Sequence, residues 1–320
     1  MKALQITDYK GPETMKYQET ENPRVQKKDI LIKVDYSGVG LIDVIFSRGF
    51  GQLPLPATPG LEVSGTVIEV GKEVTDFQIG DSVAGLTINT LKGFSERVSL
   101  HEDYVVKVPE HLELDQAAAA LTNTSAALIL LKEIVNFPVG GSVLVYGPTG
   151  GLGSQIGQAA KLLGAKRVLA AAGNETKRQK ALKLGYDAAY LREEFFTASE
   201  EKCDLIVDPV GGENRKNNLL RLNAYGTLAI VGNASQKERA DIDPDILWLN
   251  NINLTGFNFG GYCSQNIKKV KDYLVWALEL IANEQIKLPK LHTVPIDNAV
   301  QALLELETGA ISGKLLLKHF

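Results

Sequence analysis

A glycine-rich turn between an apolar run and a helical pattern carries the clearest chemical signal in the chain. Residues 143–146 predict a buried strand, residues 147–153 (GPTGGLG) predict a tight turn, and residues 154–163 predict a helix. The N-terminus of such a helix presents unpaired N–H groups and the positive end of the helix dipole. The turn therefore predicts a phosphate-binding site of the kind that holds the pyrophosphate of a dinucleotide.

The residues after the next predicted strand indicate which dinucleotide would bind. NAD-binding sheets usually place an acidic side chain about 20 residues beyond the glycine turn, where it holds the adenosine ribose hydroxyls. This chain has AAGN at residues 171–174, followed by Lys177 and Arg178, two cations that suit a 2′-phosphate. Glu175 is close, but a favourable charge at a helix start explains it equally well. We therefore expect NADPH rather than NADH, with a solvated cationic helix face as the alternative explanation.

Two further loops follow predicted strands of the same sheet, at residues 208–212 (DPVGG) and 231–235 (VGNAS). Open α/β sheets bind ligands at the carboxyl ends of their strands. We therefore expect both loops to line the cofactor crevice.

The pattern of apolar residues changes near residue 122. Before it, short runs separated by Gly, Pro and Asp predict a β barrel or sandwich with strands at 30–36, 63–70, 81–86, 94–100 and 104–108. After it, strands and helices alternate, which predicts a doubly wound parallel sheet of the α/β class. The strands are predicted at 142–146, 167–172, 203–208, 226–231 and 252–259, and the helices at 125–135, 155–163, 176–184 and 213–222. In the tail, helices at 267–281 and 297–307 precede a strand at 314–317, which we expect to rejoin the first domain.

Composition limits the classes of partner. A length of 320 residues with 44% hydrophobic residues favours two domains. The net charge of −4 and a pI near 5.7 argue against a nucleic-acid or membrane partner. No leader sequence and no run of about 20 apolar residues is evident, so we expect a cytoplasmic protein. The two cysteines and four histidines are scattered, which predicts no structural zinc and no metal site.

Several motifs in a fixed order resemble the medium-chain dehydrogenases/reductases, and among them the zinc-free branch of NADPH:quinone oxidoreductases and zeta-crystallins. The resemblance covers essentially the whole chain. It rests on YSGVGLID at 36–43, PGLEVSG at 59–65, VG at 70–71, GDSV at 80–83, AAAA at 117–120, GGLG at 150–153, GN at 232–233 and GKLLL at 313–317.

This resemblance implies a GroES-like catalytic domain over residues 1–121, a Rossmann domain over 122–258 and a return of 259–320 to the catalytic domain, with the active cleft between them. It also implies a homodimer, joined through edge strands near residues 252–259. Carried over residue by residue, it assigns NADPH binding to Asn123, Gly150, Gly151, Leu152, Gly153, Gly173, Asn174, Lys177, Gly232 and Asn233. Family members often place a Tyr after the third strand against the 2′-phosphate, and here either Tyr190 or Arg192 would serve.

The chain departs from its relatives at two places. Zinc alcohol dehydrogenases carry a metal-binding Cys in the first motif and His-Glu after Pro-Gly, whereas this chain has Gly40 and Leu61. Without these ligands no Lewis acid would polarise an alcohol. We expect Asp43 and Glu62 to be hydrogen-bonded framework groups.

The quinone reductase pattern has an Asn before Asp43 and a Tyr after the Arg48 region. The substitutions here predict a roomier or more apolar substrate pocket around Gly40, Asp43, Arg48 and Phe50.

The expected reaction is hydride transfer from NADPH to a small electrophilic acceptor, either a quinone or another conjugated carbonyl compound. Such acceptors need positioning and exclusion of water more than a general acid. Arg48, Tyr36, Asn258 and Lys92 are conceivable oxygen-polarising groups, and no catalytic residue is assigned. A 2-alkenal or enoyl double-bond reductase is the alternative enzyme. A non-catalytic NADPH-binding sensor or structural protein is the alternative outside enzymes.

Overall fold

The computed structural model describes residues 1–237 and 241–320, which form two compact units. The barrel unit comprises Met1–Ser125 and Cys263–Phe320, and the parallel-sheet unit comprises Ala126–Tyr262. The predicted boundaries after residues 121 and 258 each lie four residues before the observed ones.

The elements follow one another along the chain in this order. The strands are β1 Lys2–Gln5, β2 Lys16–Glu19, β3 Asp29–Val39, β4 Glu62–Val70, β5 Ser82–Leu86, β6 Arg97–His101, β7 Val105–Lys107, β8 Ser142–Tyr146, β9 Arg167–Ala172, β10 Ala188–Leu191, β11 Cys203–Asp208, β12 Leu222–Ile230, β13 Asn253–Gly256, β14 Leu291–Pro295 and β15 Lys314–Lys318. The helices are α1 Leu41–Ser47, α2 Leu114–Ile129, α3 Gly151–Leu162, α4 Glu175–Lys183, α5 Phe195–Ala198, α6 Asn214–Leu219, α7 Asp245–Asn250, α8 Phe259–Ala282 and α9 Ala299–Glu307.

The barrel unit is organised around the long strand β3. This strand pairs antiparallel with β4, with β6 along its first half and with β15 at its end. The remaining order is β14-β15-β3-β4-β5-β7, and β1 and β2 form a separate pair. Alternate β3 residues, among them Ile30, Ile32 and Val34, enter a fully buried core with residues of β4 to β7. The period-two pattern of the sequence is thus the pattern of burial.

The C-terminal segment completes the barrel unit. Strand β15 lies beside β3, so residues 314–317 rejoin the first domain as expected. Leu315 and Leu317 of β15 share a buried core with α1 and α9, and Leu316 on the other face packs against Ala118 and Ala119 of α2. A β-strand buried on both faces reads as a continuous apolar run, which is what LLL at 315–317 provides.

The parallel-sheet unit has the order β10-β9-β8-β11-β12-β13, and every neighbouring pair is parallel. The predicted α/β fold, with a GroES-like barrel and a doubly wound Rossmann sheet, is confirmed. The chain leaves β8 in one direction toward β9 and returns on its other side as β11. This reversal is the topological switch point at which such sheets bind ligands.

One predicted helix start was wrong, and several short elements were not predicted. Helix α2 begins at Leu114 rather than residue 125, because the alanine run 117–120 is strongly helix-forming, and a single π-helical turn, Leu130–Ile134, follows it. Helix α1 and strand β10 were not predicted. Both are short, at seven and four residues, and β10 is only half-buried.

The same region contains a long apolar helix, although the sequence showed no uninterrupted run of about 20 apolar residues. Among the residues described, one stretch, Leu114–Ile134, is long and apolar enough to cross a membrane, with a mean hydropathy of 1.2. However, 72% of its most apolar window is buried inside the protein, which is the burial of a core helix.

Candidate cofactor site and substrate surface

The glycine turn lies at the end of β8, in the centre of the parallel sheet. Gly147 has a φ of +64°, and a Cβ on Gly153 would overlap the Gly147 carbonyl oxygen. Gly150 is the N-cap of α3, and no side chain caps this N-terminus. The first N–H groups of α3, at Gly151, Leu152 and Gly153, are therefore not capped from within the chain and suit an anion.

The next strand, β9, ends at a corner occupied by Arg192. Gly173 follows β9, and a Cβ at this position would overlap the Arg192 Nη2, so the guanidinium lies over the backbone of Gly173. The Arg192 N–H donates to the Ala172 carbonyl at 2.9 Å, which ties the end of β10 to the end of β9. Of Tyr190 and Arg192, the structure brings Arg192 to the corner. The Tyr190 hydroxyl instead donates to Glu201 Oε1 at 3.1 Å.

Helix α4 starts at the same corner and supplies a second cation. Asn174 is its N-cap, with the side-chain Oδ1 accepting from the Lys177 N–H at 2.9 Å. Lys177 is half-buried, and within the described part of the chain neither Lys177 nor Arg192 has an ion-pair partner. We name Gly173, Asn174, Lys177 and Arg192 the cationic corner.

The nearby charged residues are already paired. The Glu175 carboxylate contacts Arg178 at 2.8 Å and accepts from Gln179 Nε2 at 2.8 Å, and these contacts hold the pKa of Glu175 below its usual value. Arg178 also lies 3.9 Å from Glu194. Arg178, considered with Lys177 for the 2′-phosphate, is thus a poorer candidate than the sequence implied. Glu175 is equally unsuited to hold ribose hydroxyls.

The loops after β11 and β12 lie side by side at the carboxyl edge of the sheet. Ala234 donates to the Pro209 carbonyl at 3.0 Å, and Ser235 donates to the Val210 carbonyl at 2.8 Å. Gly232 and Asn233, predicted to bind the cofactor, lie in the second loop, and both are exposed. The structure thus brings the glycine turn, the cationic corner and these loops to one edge of a single unit.

Asn123 lies apart from these residues in sequence and belongs to the barrel unit. It is half-buried in α2, directly after Thr122, whose backbone N–H donates to Glu62 Oε2 at 2.7 Å. Its cofactor role stays a prediction.

Two residues of the predicted substrate pocket form a structural turn. Asp43 is 1% exposed, and its two carboxylate oxygens accept from the N–H groups of Gly40 at 2.8 Å and Gly60 at 2.9 Å. Burial raises the pKa of Asp43 to about 6, against the lowering effect of these hydrogen bonds. Asp43 therefore closes the first turn of α1 and anchors residue 60.

A buried ion pair lies nearby in the barrel unit. Lys314 Nζ contacts Glu62 Oε1 and donates to the Val39 carbonyl at 3.1 Å, and the two charged side chains are 4% and 2% exposed. With the bond from Thr122, Glu62 links β15, the end of β3 and α2. Sequence analysis identified Glu62 as a framework group but missed Lys314, because 252 residues separate the pair.

Arg48 and Phe50 have opposite environments. Arg48 donates twice to Glu307 and once to Glu13, each at 2.9 Å, and also to the Lys10 carbonyl, so its hydrogen-bonding capacity is largely used. Phe50 is 61% exposed, and its nearest aromatic neighbour is Phe46, with 6.3 Å between ring centroids.

The other polar candidates have different surroundings within their own units. Tyr36 borders a cavity of about 380 Å³ with Asp35, Glu113 and Asp115, and burial raises the pKa of Tyr36. Lys92 borders a different cavity of the barrel unit, of about 660 Å³. Asn258 belongs to the parallel-sheet unit, where its Oδ1 accepts from the Gly261 N–H at 3.3 Å.

Two family models match the chain. Residues 26–110 match the alcohol dehydrogenase GroES-like domain, and residues 151–276 match the zinc-binding dehydrogenase model. The quinone oxidoreductase of Sus scrofa is 32% identical over 243 residues, which are 72% of this chain and 73% of that protein. The quinone oxidoreductase-like protein 2 of Bos taurus is 28% identical over 93% of this chain and 88% of its own length.

Solved structures of similar proteins have the same fold. A quinone oxidoreductase of Pseudomonas syringae pv. tomato superposes with a TM-score of 0.87 at 26% identity, over 99% of both chains. A mycobacterial protein complexed with NADPH superposes with a TM-score of 0.91 at 26% identity, over the whole of both chains.

The zinc in the name of the second family model does not fit this chain. The resemblance places Gly40 near one metal-ligand position of zinc alcohol dehydrogenases and Leu61 at another, and neither residue offers a ligand side chain. Throughout residues 1–237 and 241–320, no group of three or more His, Cys, Asp or Glu side chains is arranged to hold a metal ion. A structural or catalytic zinc needs three or four such ligands.

Proposed function

Because the chain belongs to the quinone oxidoreductase branch of the medium-chain dehydrogenases/reductases, we propose that this oxidoreductase transfers a hydride from NADPH to a quinone. The observation that carries the choice of cofactor is the cationic corner, where Arg192 and Lys177 lack acidic partners among the described residues. An Arg or Lys at this place suits the 2′-phosphate that distinguishes NADPH from NADH.

Different parts of the parallel-sheet unit would bind different parts of NADPH. The N-terminus of α3 suits the pyrophosphate, and the cationic corner suits the 2′-phosphate on the β9 and β10 side. The loops after β11 and β12 would receive the other half of the dinucleotide. Bound NADPH supplies the hydride.

We assign no residue of the barrel unit to protonate the acceptor oxygen. Asp43 and Arg48 are engaged in structural hydrogen bonds, and Phe50 contributes an exposed apolar face. This arrangement supports an acceptor that is electrophilic without help, as quinones are, with the product oxygen protonated from solvent.

Steady-state kinetics with NADPH and a panel of 1,4-benzoquinones, naphthoquinones and 2-alkenals tests the proposal. We expect the highest kcat/KM with a quinone. A higher value with 2-alkenals would identify a double-bond reductase instead. Binding of NADPH without oxidation by any acceptor would contradict the enzymatic proposal and favour a sensor or structural protein.

We also propose a homodimer formed through β13, the outer strand of the parallel sheet. Leu254 on this strand is 37% exposed. Three further apolar side chains near this strand are more exposed: Trp248 (67%), Leu249 (63%) and Tyr225 (78%). Exposed apolar groups beside an open strand edge favour pairing with a second copy. Analytical ultracentrifugation should show a dimer that Leu254→Lys weakens, and a monomeric wild type would contradict it.

For the setting, we propose a cytoplasmic protein that acts on a small molecule without a membrane or nucleic-acid partner. The net charge of −4 supports this, since strong binding to nucleic acid or anionic lipid relies on basic surfaces. Cell fractionation would contradict the proposal if the protein sedimented with membranes.

A further inference from the structure

An arginine that the sequence did not single out joins the two loops at the carboxyl ends of β11 and β12. Arg215 lies on α6, and its side chain is only 13% exposed. Its Nε donates to Asp208 Oδ2 at 2.8 Å, while its Nη2 donates to the Gly232 carbonyl. The planar guanidinium thus holds a carboxylate at the end of β11 and a backbone carbonyl beyond β12 at the same time.

Asp208 organises its own loop through its other oxygen. Oδ1 accepts from the Val210 N–H at 2.7 Å and from the Gly211 N–H at 2.9 Å. The carboxylate is 2% exposed, so without Arg215 a buried charge would lose its only ion-pair partner within the described residues. The pair therefore fixes the course of the chain immediately after β11.

The two loops also fit closely around Asn233. Gly211 has a φ of +83°, and a Cβ there would overlap the Asn233 Oδ1, so the side chain of Asn233 lies against the Gly211 backbone. A change in the direction of either loop would displace Gly232 and Asn233 together. Arg215 is the side chain that bonds to both loops.

The order of the sheet indicates which part of a dinucleotide these loops would meet. The glycine turn follows the central strand β8, and the cationic corner lies on its β9 side. With the pyrophosphate at the turn and the 2′-phosphate at the corner, the nicotinamide half extends toward β11 and β12.

We infer that Arg215, supported by Asp208, is a positioning residue for the nicotinamide half of NADPH, acting through the backbone of Gly232 and the side chain of Asn233. The inference rests on the proposed function. Arg215 sets the geometry of the loops before the cofactor arrives, so its loss would weaken binding of the nicotinamide half and leave the adenosine half unaffected.

The test compares two ligands on one variant by isothermal titration calorimetry. Arg215→Lys keeps a positive charge beside Asp208 but cannot reproduce the fork that also reaches Gly232. We expect the dissociation constant of NADPH to rise about tenfold. The dissociation constant of 2′,5′-ADP, which carries only the adenosine half, should stay within about twofold. The 2′,5′-ADP titration also verifies that the variant has folded.

Arg221→Lys is the matched control. Arg221 precedes β12, at the opposite end of that strand, and its Nη2 donates to the Phe196 carbonyl at 2.6 Å. This variant should bind both ligands like the wild type. Equal weakening of both ligands by Arg215→Lys, or unchanged NADPH binding, would overturn the inference. A wild type that binds neither ligand would contradict the proposed function itself, and the inference with it.

Discussion

Two groups of charged residues, one in each unit, are used in different ways. In the parallel-sheet unit, Lys177 in the first turn of α4 and Arg192 directly after β10 have no acidic partner among the described residues. In the barrel unit, Asp43, Arg48 and Lys314 have hydrogen bonds that hold loops, helices and strands together. An ionic group that the fold already uses contributes stability, whereas one left unpaired at a ligand-binding edge is free for a ligand.

This difference separates candidate binding residues that have the same side chain. Arg48 and Arg192 are both arginines that sequence analysis assigned to sites, yet only Arg192 keeps its guanidinium unpaired within the described chain. The same contrast separates Arg178, paired with Glu175, from its neighbour Lys177. Four predictions test whether each of these charged groups contributes to stability or to ligand binding.

The largest expected effect concerns the buried ion pair of the barrel unit. Lys314→Met should lower the free energy of unfolding by about 3–5 kcal/mol, because Glu62 would remain buried without a counter-charge. Urea denaturation measures the change. Lys318→Met, on the exposed end of the same strand, is the control and should change it by less than about 0.5 kcal/mol. A loss below about 1 kcal/mol for Lys314→Met would mean that the pair contributes little.

In the parallel-sheet unit, Arg192→Gln should act on cofactor choice and not on stability. Loss of a charged hydrogen bond to the 2′-phosphate should raise the dissociation constant of NADPH by about 10- to 100-fold. Binding of NADH should be unchanged, and fluorescence titration measures both. Arg178→Gln removes the paired arginine of α4 and should leave both constants unchanged. A larger rise in the dissociation constant of NADPH for Arg178→Gln than for Arg192→Gln would contradict the assignment.

Acid stability should depend on His319 in the barrel unit. Ser37 Oγ donates to the Gly93 carbonyl at 2.6 Å, so it accepts from the Nε2–H of His319 at 2.7 Å. Burial disfavours the charged imidazolium and lowers the pKa of His319 to about 4. The unfolded chain protonates this group near pH 6.5, so its contribution is complete above that pH and is lost as the pH falls toward 4.

The variant His319→Gln isolates this effect. Relative to the wild type, its free energy of unfolding should improve by about 2 kcal/mol between pH 7.5 and pH 5. The comparison with wild type is needed because Asp43, with its raised pKa, acts in the opposite direction and stabilises the fold as the pH falls below 6. Parallel pH profiles for the two proteins would show that His319 titrates normally.

The smallest effect is expected for Arg48→Gln. Its partners Glu13 and Glu307 are 47% and 27% exposed, so the loss of stability should be about 1 kcal/mol. The value of kcat/KM for the preferred quinone should change by less than about twofold, since the side chain serves the framework. A large loss of kcat/KM without a loss of stability would place Arg48 in the substrate pocket after all.

The sequence was sufficient for features that depend on local pattern. The glycine turn, the missing acidic residue after β9 and the alternation of strands and helices are local, and they led to the parallel sheet and the cationic corner. The choice between Tyr190 and Arg192 needed coordinates, because their side chains turn toward different partners from neighbouring positions.

Features that depend on distant residues were not visible in the sequence. Lys314 and Glu62 meet only because β15 returns to β3, and Arg215 meets Gly232 only because β11 and β12 are adjacent. Neither pair has a motif spacing. Likewise, nothing in the pattern around residue 48 indicates that Glu307 would occupy its guanidinium.

The central claim is that the cationic corner selects the phosphorylated cofactor. Isothermal titration calorimetry of the wild-type protein with NADPH and NADH under identical conditions tests it most directly. NADPH should bind at least about tenfold more tightly than NADH. Equal affinities, or tighter binding of NADH, would contradict it.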